Sequence, residues 1–294
     1  MKTSSNHILV PIDFSEQSLI ALTQSFNLAR YHQSDITLIN VIDIDFLQKL
    51  TGFFKGDDAN ENLYKAEIEE KLKNLADQMT IQSGLRIKTM VRTGKIYEEL
   101  VQVAKDLDAV LIVMGTSGGS DSIKKKFVGS NAVRVINEAQ CPVISIHGKL
   151  HRQGCKNIVL PLDLSIESRD KVNKAIEIAK YFGSKINIIA LYNSSDDFLR
   201  NKLTLQMNSV QQFIVDEGIE TSAELLLSKD ASDTVIDYSK KIDADLIVII
   251  SQSDSEFTGR FLGTEAHDII NNSPIPVLSV RANERKDLYE YVLS

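Results

Sequence analysis

The chain has 294 residues, 43% hydrophobic and 25% charged, with a formal net charge of −7. This acidic balance argues against non-specific nucleic-acid binding, which needs a basic face, and no apolar run approaches the roughly 20 residues of a membrane span. Two cysteines, Cys141 and Cys155, do not make a disulfide framework, and the opening "MKTSSNHILVPIDFS" lacks a secretory pattern, so a cytoplasmic home is the expectation.

In chain order, "HILVPI" from His7 reads as a short buried strand ending at proline. Ser15 caps the helix "SLIALTQSFNLARYH", with Ser18 where a capping box prefers Glu or Gln. "DITLINVI" is the second strand, and "NENLYKAEIEEKLKNLADQM" a long charged amphipathic helix. "LRIKTMVR" alternates as the third strand. Then follow helix "KIYEELVQVAKDL", strand "AVLIVM", helix "SNAVRVINEA" and strand "CPVISI".

The pattern then starts again. "HILVPIDFSEQSLIAL" at His7 returns as "NIVLPLDLSIESRDKV" at Asn157, and "DAVLIVMGTSG" at Asp108 as "DADLIVIISQS" at Asp243. "FVGSNAVRVINEAQCPVISI" at Phe127 returns as "FLGTEAHDIINNSPIPVLSV" at Phe261. Three blocks repeated in the same order mean a duplicated domain. The expected domains are residues 1–148 and 156–294, joined by the polar stretch "GKLHRQGCKN". Strands alternating with helices predict an α/β fold: two tandem, doubly wound, Rossmann-like domains, each with five parallel strands. Ligands of such sheets sit at the carboxyl ends of the strands, near the switch in winding direction. That directs attention to Pro11–Asp13, Val41–Asp43 and Met114 onward.

"VMGTSGGSDSIKKKFVGSNAV", Val113–Val133, begins at such an end. Gly115, Gly118 and Gly119 allow positive φ and close approach of backbone to ligand. Gly129 and Ser130 open a helix whose free N–H groups suit a phosphate, with Ser130 and Asn131 adding side-chain donors. The plainer alternative is a long turn whose glycines only relieve strain. There is no GxxxxGK[ST] and no GxGxxG after the first strand, which argues against a P-loop NTPase and a dinucleotide oxidoreductase. "SGGSDS", Ser117–Ser122, matches the SGGxDS loop of ATP pyrophosphatases, but it follows the fourth strand rather than the first.

These motifs, with "VPIDFSEQS" near the start and "CPVISI" at the end of the first copy, resemble the universal stress protein family in its tandem two-domain form. Nucleotide-binding members of that family carry G-x2-G-x9-G-[ST] after the fourth strand. This chain has ten residues between Gly118 and Gly129; taking Gly119 instead restores nine but breaks the first spacing. The resemblance implies an adenine-nucleotide α-hydrolase-like fold and binding of ATP or AMP, with or without Mg2+. By it, Pro11 and Asp13 line the adenosine side, the Val41 backbone reads the adenine edge, and Gly115, Gly118, Gly129 and Ser130 hold ribose and phosphates. With Met114 and Asn131, these make up the expected nucleotide-binding set; no catalytic or metal-binding residue is assigned. It also implies that the fifth strands of the two copies pair as a pseudo-dimer within one chain, with a homodimer of chains left open.

The second copy keeps Pro161, Asp163, Gly263 and Thr264, but Ile250 and Ser253 replace Gly115 and Gly118. Asp254 and Glu256 add negative charge near the phosphate position, so weakened or lost binding is expected there. Lys124, Lys125 and Lys126 either close over phosphates or form a solvated loop. His147, His151 and Cys155 recur every fourth residue. A helix would align them as zinc ligands, but Gly148 and Gly154 oppose a helix. The expected function is nucleotide binding in the first copy, with a regulatory or protective output and at most slow ATP hydrolysis. The alternative is a scaffold of the same fold that binds no nucleotide.

Overall fold

The structure, a computed structural model, describes residues 6–44, 58–116, 130–147, 154–162, 168–192, 197–251 and 264–281. The first half runs β1 (His7–Pro11), α1 (Glu16–His32), β2 (Asp35–Asp43), α2 (Asp58–Ser83), β3 (Ile87–Gly94), α3 (Ile96–Asp106), β4 (Ala109–Gly115), α4 (Ser130–Glu138) and β5 (Val143–Ile146). The second half repeats it as β6 (Asn157–Leu162), α5 (Ser168–Phe182), β7 (Lys185–Tyr192), α6 (Asp197–Asp216), β8 (Thr221–Leu227), α7 (Ala231–Lys241), β9 (Leu246–Ile250), α8 (Thr264–Asn272) and β10 (Val277–Val280).

The ten strands of the described residues form one sheet, in the order β3-β2-β1-β4-β5-β10-β9-β6-β7-β8. Within each half the pairings are parallel. The strands need helical crossovers to run that way, and this explains the strict alternation in sequence. At the centre, β5 and β10 pair antiparallel, with Val277 opposite Ser145, Leu278 opposite Ile144 and Ser279 opposite Val143. Ile144 and Leu278 are equivalent positions of the repeat, so the seam pairs a residue with its own copy. Tyr31 and Tyr181, also equivalent, meet with ring centroids 4.5 Å apart. Self-pairing of equivalent residues is what a two-fold axis produces, and here it relates two halves of one chain.

Side chains alternate between the two faces of a strand. Ile8, Val10 and Ile12 of the β1 segment enter one core cluster together with Ala21 and Leu22 of α1, Leu72 of α2, Val172 of α5 and Met207 of α6. Leu9, between them, enters the other cluster with Leu100 of α3, Val135 of α4, Val235 of α7 and Ile269 of α8. Among the described residues, each face of the sheet is thus covered by four helices, two from each half. The central strands are buried on both sides and read as continuous apolar runs such as "LIVII" of β9, whose five residues are all buried.

Candidate functional site

In the first half, β1 neighbours both β2 and β4. The crossovers from these strands diverge to opposite faces, so their carboxyl ends part and leave a crevice. A cleft of about 200 Å³ lies there. Pro11, Ile12 and Asp13 of β1 and its turn, Ile39, Asn40 and Val41 of β2, and Met114, Gly115 and Thr116 of β4 supply its floor and walls. Ile96 and Leu100 from the start of α3, Asn131 and Ala132 from the start of α4, and Ser18 of α1 close the sides.

Six of the nine residues expected from the sequence therefore come together: Pro11, Asp13, Val41, Met114, Gly115 and Asn131. Ser130 is the first residue of α4, next in the chain to Asn131. Gly118 and Gly129 lie outside the described residues, as do Gly119, Lys124, Lys125 and Lys126. Asn40 was not singled out from sequence, although it is the one polar side chain in the run "LINVI". Its Nδ2 donates to the Ile12 carbonyl at 2.7 Å and ties the end of β2 to the turn after β1. The Ile12 N–H donates in turn to the Ile39 carbonyl at 2.8 Å.

The turn between β1 and α1 is held by its own side chains. Ser15 is the N-cap of α1; its backbone is extended and its Oγ accepts from the Ser18 N–H at 3.3 Å. Ser18 does not complete a reciprocal capping box: its Oγ donates to the Ser15 carbonyl at 3.0 Å. Asp13 Oδ1 accepts from the Ser15 N–H at 2.9 Å and from Ser15 Oγ at 2.5 Å. Partial burial acts to raise the Asp13 pKa, but the Ser15 hydrogen bonds outweigh it and hold the carboxyl below the ordinary carboxylate range. Phe14, between them, takes φ of 63°, a left-handed conformation that costs a branched or bulky L-residue about 1 kcal/mol or more.

Gly115 meets a packing demand that the sequence does not show. Its φ is not in the left-handed range. A Cβ at this position would lie 2.4 Å from the Gln17 carbonyl carbon and 2.7 Å from the Ser18 nitrogen. The close approach is between β4 and the backbone of the first turn of α1, so glycine is required by the packing of helix on strand. One residue on, Thr116 is buried and extends the pairing of β4 with β5, its N–H donating to the Ile146 carbonyl at 2.8 Å. His147 Nδ1 lies 2.9 Å from the Thr116 carbonyl and donates to it, which engages one ring nitrogen in holding the end of β4. Of the other residues in the zinc reading, His151 lies outside the described residues and Cys155 is buried. Among the described residues no cluster of three metal-ligating side chains occurs. Burial pushes the Cys141 thiol up to about 11, away from the thiolate form that binds metals.

The second half repeats this cleft in miniature, with a volume of about 40 Å³. Pro161, Leu162, Leu191, Ala231, Val235, Ile249 and Ala266 line it, at the repeat positions of Pro11, Ile12, Val41, Ile96, Leu100, Met114 and Ala132. Asp163, Ser253, Asp254, Glu256 and Gly263 lie outside the described residues, and Ile250 is fully buried.

A duplicated, doubly wound α/β sheet with a cleft at each switch point defines the class of protein. Within that class, the sequence model of the universal stress protein family matches residues 5–147 and again 154–281. The chain belongs to that family, in its tandem two-domain form. It is 33% identical over 139 residues to the universal stress protein MJ0531 of Methanocaldococcus jannaschii, which covers 47% of this chain and 80% of that protein. A universal stress protein of Mycolicibacterium smegmatis aligns end to end, at 22% identity over 93% of this chain and 96% of its own. The crystal structure of a universal stress protein from Archaeoglobus fulgidus superposes with a TM-score of 0.74 at 19% identity, covering 95% of this chain and 97% of the other. The last shows the tandem arrangement of the fold. Among the described residues no helix is long and apolar enough to cross a membrane.

Proposed function

We propose that the first half binds an adenine nucleotide, ATP or AMP, in the cleft at the end of β1, β2 and β4, and that the bound state has a regulatory or stress-protective output. The observation that carries this reading is the convergence of Pro11, Asp13, Val41, Met114 and Asn131, from four separate stretches of chain, on one crevice. Ligand clefts are largely apolar with a few placed polar groups. Here Ile39, Val41, Ile96, Leu100 and Met114 offer apolar walls to a planar base, while Asp13, Asn40, Thr116 and Asn131 offer hydrogen-bonding groups for its edge and the ribose. Among the described lining residues the charged one is the acidic Asp13. The phosphates are therefore assigned to the N-terminus of α4, where free N–H groups and the helix dipole favour anions, and to the preceding glycine segment with its three lysines. Mg2+, where present, would accompany the phosphates of ATP.

Rapid hydrolysis is not part of this reading. Fast phosphoryl transfer needs a group that orients the attacking nucleophile. Asp13, the carboxylate at the cleft, already accepts two hydrogen bonds from Ser15.

The test is calorimetric titration of ATP and of AMP, each with and without Mg2+, into the full chain and into Asn131→Glu. That substitution copies the residue of the second cleft and sets a carboxylate at the start of α4. One saturable site per chain is expected, weakened about tenfold or more in the variant by a like charge facing the phosphates. No heat and no change in melting temperature with either nucleotide would overturn the proposal. The scaffold reading, which the extra residue between Gly118 and Gly129 favours, would then take its place.

A further inference from the structure

Asn40 lines the first cleft, and its amide is held in one orientation. Nδ2 donates to the Ile12 carbonyl at 2.7 Å. Which end of an amide is nitrogen follows from its partners. A carbonyl only accepts, so the end on Ile12 is the nitrogen and the other end is Oδ1. Among the described residues Oδ1 has no hydrogen-bond partner, and it is not one of the atoms enclosed by the fold. Asn40 thus offers the cleft a neutral acceptor of fixed orientation. The other polar groups there differ. Ser18 Oγ donates to the Ser15 carbonyl, Thr116 Oγ1 donates to the Ile146 carbonyl, and the Asp13 carboxylate is tied to Ser15. The Asn131 amide has no such tie among the described residues, so it can turn either end to a ligand.

The second half lacks this group. β6 and β7 set Leu162 beside Ala190, the repeat positions of Ile12 and Asn40, and Ala190 is fully buried. The acceptor therefore goes with the larger of the two clefts. Purines differ at the edge that such an acceptor meets: adenine carries a 6-amino donor where guanine carries a 6-oxo acceptor. Resting on the nucleotide reading above, we propose that Asn40 is a specificity-determining residue, its Oδ1 accepting from the 6-amino group of the bound base and disfavouring 6-oxo purines. A site built to hydrogen-bond a substrate N–H discriminates against an analogue without it, because its own polar group is left unpaired. The bond to Ile12 is what keeps the amide from turning round for an oxo group, since inversion would set Oδ1 against the Ile12 carbonyl oxygen.

The test is calorimetric titration of three 5′-monophosphates into the full chain: AMP, purine riboside monophosphate, which lacks the 6-amino group, and inosine monophosphate, which carries an oxo group there. The wild type should bind AMP about fivefold or more tighter than purine riboside monophosphate, and inosine monophosphate more weakly still. Asn40→Ala copies Ala190. In it the preference should shrink to about twofold or less, because AMP loses affinity and purine riboside monophosphate does not. Asn40→Asp keeps an acceptor in the same place, and it should keep the preference for AMP over purine riboside monophosphate even if all affinities fall with the loss of the Ile12 bond. Both variants leave Asp13 in place, so they separate the two acceptors. An undiminished preference in Asn40→Ala would overturn the proposal. So would a parallel loss for all three ligands, which would reduce Asn40 to a brace for the turn. Should Asn40→Ala fail to fold, loss of the preference in Asn40→Asp overturns it instead. A wild type that binds all three equally sinks the role of Asn40 alone, whereas one that binds none sinks the nucleotide reading and this proposal together.

Discussion

At the scale of single residues, Gly115 shows how one position can answer to a demand its local sequence does not show. It lines the cleft, as its place at the end of an apolar strand implies. Yet the atoms nearest to its missing Cβ are backbone atoms of Gln17 and Ser18, and backbone cannot rotate away as a side chain can. Gly115→Ala is therefore expected to lower stability by about 1–3 kcal/mol, as overpacking does, with a fall in melting temperature whether or not nucleotide is present. An unchanged melting temperature would show that α1 is free to shift. Asp13 carries a second expectation at this scale. Its folded-state pKa is depressed, so its carboxylate contributes stability that is present above the unfolded value near ~4 and is lost as pH falls through the lower folded value. Asp13→Asn removes the charge and keeps an acceptor for Ser15. The gap in melting temperature between wild type and Asp13→Asn should narrow as pH is lowered from about 6 to about 3; a gap that widens would contradict the hydrogen-bonding account.

Among elements, the unit that matters is the turn from β1 into α1. Val10 and Ile12 bury one face of the strand, Leu9 the other. The chain must then reverse onto the sheet within the few residues from Pro11 to Ser15. Left-handed Phe14 makes the reversal, Asp13 and Ser15 hold it, and the first turn of α1 comes down against Gly115. Ser15→Ala removes the N-cap and one donor to Asp13 together. A loss of about 1 kcal/mol, with a correspondingly lower melting temperature, is expected. No loss would mean that the cap hydrogen bond at 3.3 Å contributes nothing. Much of this element was legible in "VPIDFSEQS", since an N-capping serine after a strand-ending proline is a local signal. The Asn40 tie was not, because a single asparagine in a strand points to no partner until a second strand lies beside it.

In the whole molecule, the antiparallel pairing of β5 with β10 turns two repeats into one sheet. Ile144 is 5% exposed and Leu278 1%, and the Tyr31–Tyr181 contact adds to the same junction. Separating the halves would uncover this apolar surface. A specific protease site introduced between His147 and Gly154 should therefore yield, after cleavage, two fragments that still elute together in size-exclusion chromatography. Fragments eluting apart would show that the linker, and not the seam, holds the halves.

The sequence by itself determined the duplication, the α/β class, the order of strands and helices, and the strand ends where a cleft must lie. All of these follow from periodicity and from repeated blocks, which are local or self-referential signals. Tertiary structure alone decided three things. Gly115 answers to a helix almost a hundred residues earlier in the chain. The two switch-point clefts differ about fivefold in volume, 200 against 40 Å³. Lys171, which looks like one more solvent-facing charge in "SRDKVNKAIEIAKYF", is buried in the wall of the second cleft. The physical reason is the same in each case. Burial and close approach depend on which segments the topology brings together, and residues from opposite faces of a sheet become neighbours only once the strands between them end.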